Sequence, residues 1–285
     1  MNKTYQNLNV LEFYKNLPFN IYSDIDYSVK NIKKNNPTEF YPPLKDIIKN
    51  NTEFNLLDLG CGVGWLSNSL SFYYNKINVT GVDFNPVAIN YANQVKNKLK
   101  LKTSFIIEDL FKVNFKFKFN IICSIGVLHH TNNCLEGIKK IVSLFPEYFV
   151  IGLYHKYGRK PFLDHFENLK LKYQNLKRDE LENILYKEYK KLDTRFVEET
   201  HLLSWFKDQV LHPHETQHTL SEILPIIKEK YEIISTSLSK FQKIENLSKI
   251  LETEAQMYDV GLKKLKQNKY FPGFFIFVAK KNKNN

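Results

Sequence analysis

The chain has 285 residues, which suits one α/β domain with additions or one domain with a small subdomain. Hydrophobic residues make up 43% of it, enough for a sizeable core and too many for wholesale disorder. Formal net charge is +11, and the three cysteines, Cys61, Cys123 and Cys134, are too few and too irregularly spaced for a disulfide framework or a cysteine-rich zinc site.

No apolar run approaches the roughly 20 residues that span a bilayer, and the opening MNKTYQNLNV makes a poor secretory leader. The expectation is a soluble, cytoplasmic protein that does not engage a membrane. The positive charge has two readings. One is affinity for an anion such as RNA; the other is composition bias, since Lys, Asn, Ile, Phe and Tyr are all abundant. The basic residues are scattered, with one dense cluster at Lys280-Lys281-Asn282-Lys283, and nucleic-acid binding needs a patch, so composition bias is favoured.

In chain order, residues 1–45 carry aromatic and apolar residues with little periodicity, broken at Asn36-Pro37 and Tyr41-Pro42-Pro43. They read as a helical or irregular arm, and residues 46–285 as the main domain. Phe54–Leu59 is a short apolar strand ending at glycines, followed by a helix over Trp65–Tyr74. Asn78–Val82 is a second strand. Pro86 then opens a helix to Leu99, proline being suited to the first helical turn. Thr103–Ile107, Phe119–Ser124 and Tyr148–Tyr154 continue the alternation. Near-continuous apolar strands alternating with helices imply an α/β doubly wound, mostly parallel sheet covered on both faces. Residues 156–218 break the rhythm as a charged helical cap insert. Thr219-Leu220-Ser221-Glu222 has the form of a capping box. Tyr231–Ser237 reads as a sixth strand, 240–268 as a second polar insert, and Gly273–Ala279 as a last strand.

The strongest motif is Asp58-Leu59-Gly60-Cys61-Gly62-Val63-Gly64, placed after a strand and before a helix. Glycines let the backbone turn sharply there and let a ligand approach closely. Asp83 ends the next strand, where a carboxylate can bond both hydroxyls of a ribose. Asp109 follows the third strand, where it can accept from an exocyclic adenine amine. The three carboxylates are expected to converge on one crevice. A nicotinamide dehydrogenase would space its glycines G-x-G-x-x-G, but Trp65 occupies the third position. No Gly-Lys-Ser/Thr follows, so a Walker phosphate loop is absent as well.

The loop, then Val82-Asp83-Phe84-Asn85-Pro86, then Glu108-Asp109-Leu110, then Ile121–His130, resemble the successive motifs of class I S-adenosylmethionine-dependent methyltransferases. The resemblance covers roughly residues 50–155. It implies a Rossmann-like sheet of seven strands with the last antiparallel, and S-adenosylmethionine as cofactor. On that reading Asp58, Gly60, Cys61, Gly62 and Gly64 hold its methionine part and Asp83 its ribose. Asp109 takes the adenine edge, with Phe84, Leu110 and Ser124 also at the cofactor. The arm and cap lie outside the shared core, where the family generally recognises substrate.

In that family the segment Ser124–Thr131 borders the methyl-transfer site. This makes His130 the candidate catalytic base and His129 a candidate substrate contact, each with the alternative of a structural histidine. Tyr154, His155 and Arg159 follow the fifth strand on the crevice side, and Arg159, like Lys156, could hold a carboxylate or phosphate.

His212-Pro213-His214-Glu215-Thr216-Gln217-His218 contains the zinc-protease pattern H-E-x-x-H. That pattern needs a helix, and here Pro213 precedes it and the capping box follows it. The segment is therefore expected to be a loop without a catalytic metal. His214 and His218 would contact substrate, with Trp205 and Phe206 nearby. Three functions stay open. The favoured one is methylation of a small polar metabolite. Another is methylation of RNA, against which no Asn/Asp-Pro-Pro-Tyr/Phe motif appears; Ser124-Ile125-Gly126-Val127 stands there. The third is a cofactor-binding partner protein without catalysis. Oligomeric state is not legible.

Overall fold

The computed structural model describes residues 7–49, 54–195 and 198–283. The arm is helical: α1 (Leu8–Asn16), α2 (Ile25–Lys34), α3 (Pro37–Phe40) and α4 (Pro42–Lys49). Its first three helices start where side-chain oxygens of Asn7, Asp24 and Asn36 accept first-turn N–H groups. Residues 1–6 of the arm lie outside the described residues.

The main domain alternates β1 (Phe54–Leu59), α5 (Trp65–Tyr73), β2 (Ile77–Asp83), α6 (Pro86–Leu99), β3 (Ser104–Ile107), β4 (Ile121–Ile125), α7 (Cys134–Ser143) and β5 (Tyr148–Tyr154). The cap follows as α8 (Lys156–Lys172), α9 (Arg178–Leu192) and α10 (Glu199–Val210). The chain then returns through α11 (Leu220–Ile227), β6 (Tyr231–Thr236), α12 (Leu247–Glu252) and α13 (Met257–Lys266) to β7 (Phe274–Lys281).

The seven strands lie in the order β3-β2-β1-β4-β5-β7-β6, and β7 runs antiparallel to both its neighbours. This is the doubly wound, Rossmann-like sheet expected from the sequence. Both faces are covered, as a parallel sheet requires. Leu44 and Ile47 of α4 and Leu70 of α5 pack with Leu56, Ile121 and Val150 on one face. Ile138 of α7 and Ile223 of α11 pack with Leu57, Ile122 and Phe149 on the other. The cap has a cluster of its own around Phe162, Phe166, Tyr189 and Phe206. The capping box at Thr219 and Glu222 is formed in both directions. Among the described residues no helix is long and apolar enough to cross a membrane.

The segment between α10 and α11 is an extended strap, not a helix, so the H-E-x-x-H sequence lacks the one-face geometry of a zinc protease. Its backbone is laid against the ends of the sheet strands. Thr216 N–H donates to His129 O (2.8 Å), His218 N–H to Tyr154 O (2.9 Å) and Lys156 N–H to His218 O (3.0 Å).

Arg159 fastens the strap from below. Its guanidinium is fully buried and donates twice to Glu215, Nε to Oε1 (3.0 Å) and a terminal nitrogen to Oε2 (2.7 Å). It also donates to the side chain (3.0 Å) and carbonyl (2.8 Å) of Gln209 in α10. Its carbon sits 3.9 Å from the centre of the Tyr154 ring. Removing one member of such a pair leaves the other charge buried and unpaired. Glu215→Gln should therefore lower unfolding stability by roughly 3–5 kcal/mol in urea titrations. A midpoint equal to the parent's would show that the pair does not hold the strap.

Candidate active site

The turn after β1 is built for a ligand at the backbone. Gly60 has φ +78, and a Cβ there would stand 2.3 Å from Val127, so this position admits no other residue without a shift. Gly62 has φ +52 and nothing within 4 Å of where its Cβ would be. The loop is tied to the second strand by Asp83, whose Oδ2 accepts from Gly62 N–H (2.8 Å) and whose Oδ1 accepts from Asn85 N–H (2.9 Å). Burial raises the Asp83 pKa, and these backbone donors pull it partly back. Asp58 lies deeper. Burial raises its carboxyl to about 7, against the pull of a 2.6 Å hydrogen bond from Ser67 Oγ. The Cys61 thiol is likewise pushed up by burial, which removes it as a thiolate nucleophile.

A cavity of about 730 Å³ opens over this loop. From the main domain Asp58, Gly60, Cys61, Gly62, Asp83, Phe84 and Leu110 line it, as do His129, His130 and Tyr154. These ten are residues the sequence had singled out. The arm lines it too, notably through Tyr14 of α1, and the cap through Trp205, Asp208 and Gln209 of α10.

Seven other singled-out residues stand apart from the cavity wall. Gly64 is packed under it, its Cβ position 2.7 Å from Ala92. Ser124 is buried and donates to Leu59 O (3.0 Å). Asp109 Oδ1 accepts from Phe111 N–H (2.9 Å), and its neighbour Glu108 is the one that lines the cavity.

The four charged or titratable residues expected at substrate are corrected by their partners. Nδ1 of His155 accepts from Gly158 N–H (3.1 Å), starting α8, and its other nitrogen meets Glu254 (3.3 Å). Arg159 is spent on Glu215 and Gln209. His214 Nε2 donates to Thr131 O (3.0 Å). His218 lies against Thr216 (3.0 Å) and Glu222 (3.4 Å). His155, Arg159 and His214 satisfy buried polar neighbours, which a low-dielectric interior demands, whereas the partners of His218 are half-buried or exposed.

What sequence reasoning missed is the cluster that joins arm to cap. Tyr14 O–H donates to Asp208 Oδ1. Tyr154 O–H (3.2 Å) and Gln209 Nε2 (2.7 Å) donate to Asp208 Oδ2, and Gln209 also donates to the Tyr154 oxygen (2.6 Å). A signal was present: Asp208 lies three residues after Trp205 and so shares its helical face.

His130 completes the cluster. Its Nδ1 faces the His214 carbonyl (3.0 Å), which only accepts, so Nδ1 carries the ring proton. Its Nε2 is then a lone pair, 3.8 Å from Asp208 Oδ1. Burial lowers the His130 pKa although Asp208 pulls it up, so the ring is neutral near pH 7. His129 is buried with its pKa lowered by burial, and neither of its ring nitrogens has a hydrogen-bond partner among the described residues.

Donor atoms of His130, Asp208 and His212 lie within 4.8 Å of one another, a spacing that a metal ion could use. The hydrogen bonds fit it poorly. His214 N–H occupies Nδ1 of His212 (3.1 Å), which leaves the ring proton on Nε2, and three neutral donors already hold Asp208.

The fold and the loop define the architecture of a Rossmann-like methyltransferase. A family model described as a methyltransferase domain matches residues 50–155. The chain is similar to a malonyl-[acyl-carrier protein] O-methyltransferase of Bacillus cereus, at 24% identity over 70% of this chain and 70% of that one. It is similar to a probable S-adenosyl-L-methionine-dependent methyltransferase, TehB, of Haemophilus influenzae, at 30% identity over 43% and 42% of the two chains. The solved structure of PKMT2 from Rickettsia typhi in complex with AdoHcy shares the fold, with a TM-score of 0.56 and 14% identity over 81% of this chain. This chain spans about half the length of that one (49%). Residues 50–155 thus carry a methyltransferase domain of the S-adenosylmethionine-dependent kind.

The residues present fit that cofactor: open space above Gly62 for close approach, and a buried carboxylate at Asp83 facing the same cavity. Asp83→Ala should weaken S-adenosylhomocysteine binding by roughly 1.5–3 kcal/mol, about tenfold to a hundredfold, through lost charge-assisted hydrogen bonds. Calorimetry showing unchanged affinity would remove Asp83 from the ribose site.

Asp58 gives a pH signature. Its folded pKa of about 7 lies above the unfolded 3.8, so its favourable contribution is complete below pH 3.8 and lost as pH rises through 7. Asp58→Asn, which keeps an acceptor for Ser67, should unfold at a higher temperature than the parent at pH 8 and lose that advantage near pH 4. Each 1 kcal/mol moves the midpoint by roughly 2–4 °C in a chain of this size. A gap that is the same at both pH values would contradict the raised carboxyl.

Proposed function

We propose that the protein transfers the methyl group of S-adenosylmethionine to a small polar metabolite enclosed between the arm and the cap. One observation carries this reading: a single cavity is lined both by the glycine loop with Asp83 and by His129, His130, Tyr14 and Asp208. A substrate in its second part would sit beside a cofactor in its first. Proximity and alignment supply much of the acceleration in such a transfer.

The bound cofactor supplies an electrophilic methyl on a sulfonium. The protein's own groups do the rest. His130 Nε2, an unprotonated base in the cavity wall, takes the acceptor's proton. His129 favours a polar guest, since a buried ring with unpaired nitrogens costs about 1–3 kcal/mol until something bonds it. Asp109, Ser124 and Gly64 support the cofactor from behind the wall. The relatives' names point to acyl-carrier protein or leave the acceptor open, and the acceptor here is read from the cavity alone.

The RNA reading is less favoured because the basic residues are spread over the surface. Labelled S-adenosylmethionine, incubated with the protein and a cell extract split into RNA and small-molecule fractions, should label the small-molecule fraction. Any RNA affinity should fall steeply with added salt as counterions are released. Label in RNA, or a tight complex with one RNA at physiological salt, would overturn the reading. Cofactor binding with no label in either fraction would favour the partner-protein alternative.

A further inference from the structure

The Tyr14–Asp208–His130 cluster is unbalanced in both charge and hydrogen bonding. Asp208 is buried, and the three groups that bond it, Tyr14, Tyr154 and Gln209, are all uncharged. The nearby cation Arg159 is already neutralised by Glu215. Among the described residues, the one titratable cation-former within 4 Å of Asp208 is His130, and it turns a lone pair toward the carboxylate, not a proton; the neighbouring His212 Nε2–H, within 4.8 Å, makes no hydrogen bond to either. Two acceptors 3.8 Å apart repel each other unless a donor or a positive charge lies between or beside them. Tyr14, Tyr154 and Trp205 present aromatic rings to the same cavity, and aromatic faces attract cations.

We propose that the acceptor substrate is a primary or secondary amine, bound as its ammonium ion with N–H groups donated to Asp208 and to His130 Nε2. This rests on the small-metabolite reading above and names its chemical class. The ammonium first passes one proton to His130 Nε2, and the resulting imidazolium is paired with Asp208. The freed nitrogen lone pair then bonds the methyl carbon. The carbon–sulfur bond breaks, and its electron pair stays on sulfur. The product leaves as a methylated ammonium together with S-adenosylhomocysteine, and His130 returns its proton to solvent. Asp208 is a binding residue for the cation; Tyr14 and Gln209 position it.

The test uses the full chain saturated with S-adenosylhomocysteine and two probes of matched shape, benzylamine and benzyl alcohol, at pH 7.5. Benzylamine, protonated there, should bind at least tenfold more tightly by calorimetry. Asp208→Asn, nearly isosteric, should abolish that preference and retain S-adenosylhomocysteine affinity. Equal binding of the two probes, or a preference that survives in Asp208→Asn, overturns the proposal. So does an Asp208→Asn variant that loses preference for S-adenosylmethionine over S-adenosylhomocysteine without changing probe selectivity. The cation that Asp208 serves would then be the cofactor's own sulfonium. Loss of benzylamine preference on adding zinc, with restoration by a chelator, would assign the cluster to a metal and also overturn it. In turnover with extract, label on a hydroxyl or carboxyl defeats the amine assignment alone. Absence of label from every small molecule defeats the reading on which it rests.

Discussion

The buried pair between Arg159 and Glu215 sets the geometry of everything on the substrate side. Two charges out of water need close pairing and full hydrogen bonding, and this pair has both: five donated bonds spread over Glu215, Gln209 and Pro272. Because Gln209 is held through both its side chain and its carbonyl, its amide nitrogen is aimed at Asp208 and the Tyr154 oxygen. Because Glu215 is held, the strap on either side of it is fixed. The His214 carbonyl then meets His130 Nδ1 and determines which nitrogen of that ring is basic. A guanidinium that is not itself among the cavity-lining residues thereby helps fix the tautomer of an imidazole that is.

The molecule is assembled from parts with separate cores, and polar bonds join them. The cap packs around Phe162, Tyr189 and Phe206, and the sheet has its two faces. Tyr14 spans the join. Its hydroxyl reaches Asp208 in the cap, and its carbonyl accepts from Asn85 in the β2–α6 turn (3.0 Å). Asn85 is next but one to Asp83. Closure of the arm is thus chemically linked to both the cofactor turn and the acidic cluster, through one residue.

The cofactor half of the site was legible because it is local. A strand, a glycine turn and a helix form one continuous stretch, and the geometry demanded of Gly60 and Gly62 leaves a mark that no other residue type supplies. The capping box at Thr219 and the break of helix at Pro213 were legible for the same reason. The substrate half depends on pairs far apart in sequence, such as Tyr14 with Asp208. Arg159, His155, His214 and His218 illustrate the difficulty. Each is the residue type that could hold a ligand, and each instead has a polar protein partner whose position only the folded chain reveals. Asp109 differs by a single step: Glu108 beside it lines the cavity, while Asp109 Oδ1 closes the turn onto Phe111 N–H.

Charge shows the same separation between surface and site. The chain as a whole carries +11, yet the described residues that line the cavity include Asp58, Asp83, Glu108 and Asp208 against one arginine, Arg195, itself paired with Asp193. Surface lysines are screened over about 8–10 Å at physiological salt, whereas groups facing a desolvated cavity are screened much less. The field felt by a bound molecule is therefore set by the groups that line the cavity and not by the total. A phosphate backbone drawn to the outside would meet an acidic interior, while a sulfonium cofactor and a cationic guest meet the opposite sign. Net charge bears on partners of the surface; the acidic lining bears on the occupant of the cavity, and it supports the cationic guest proposed above.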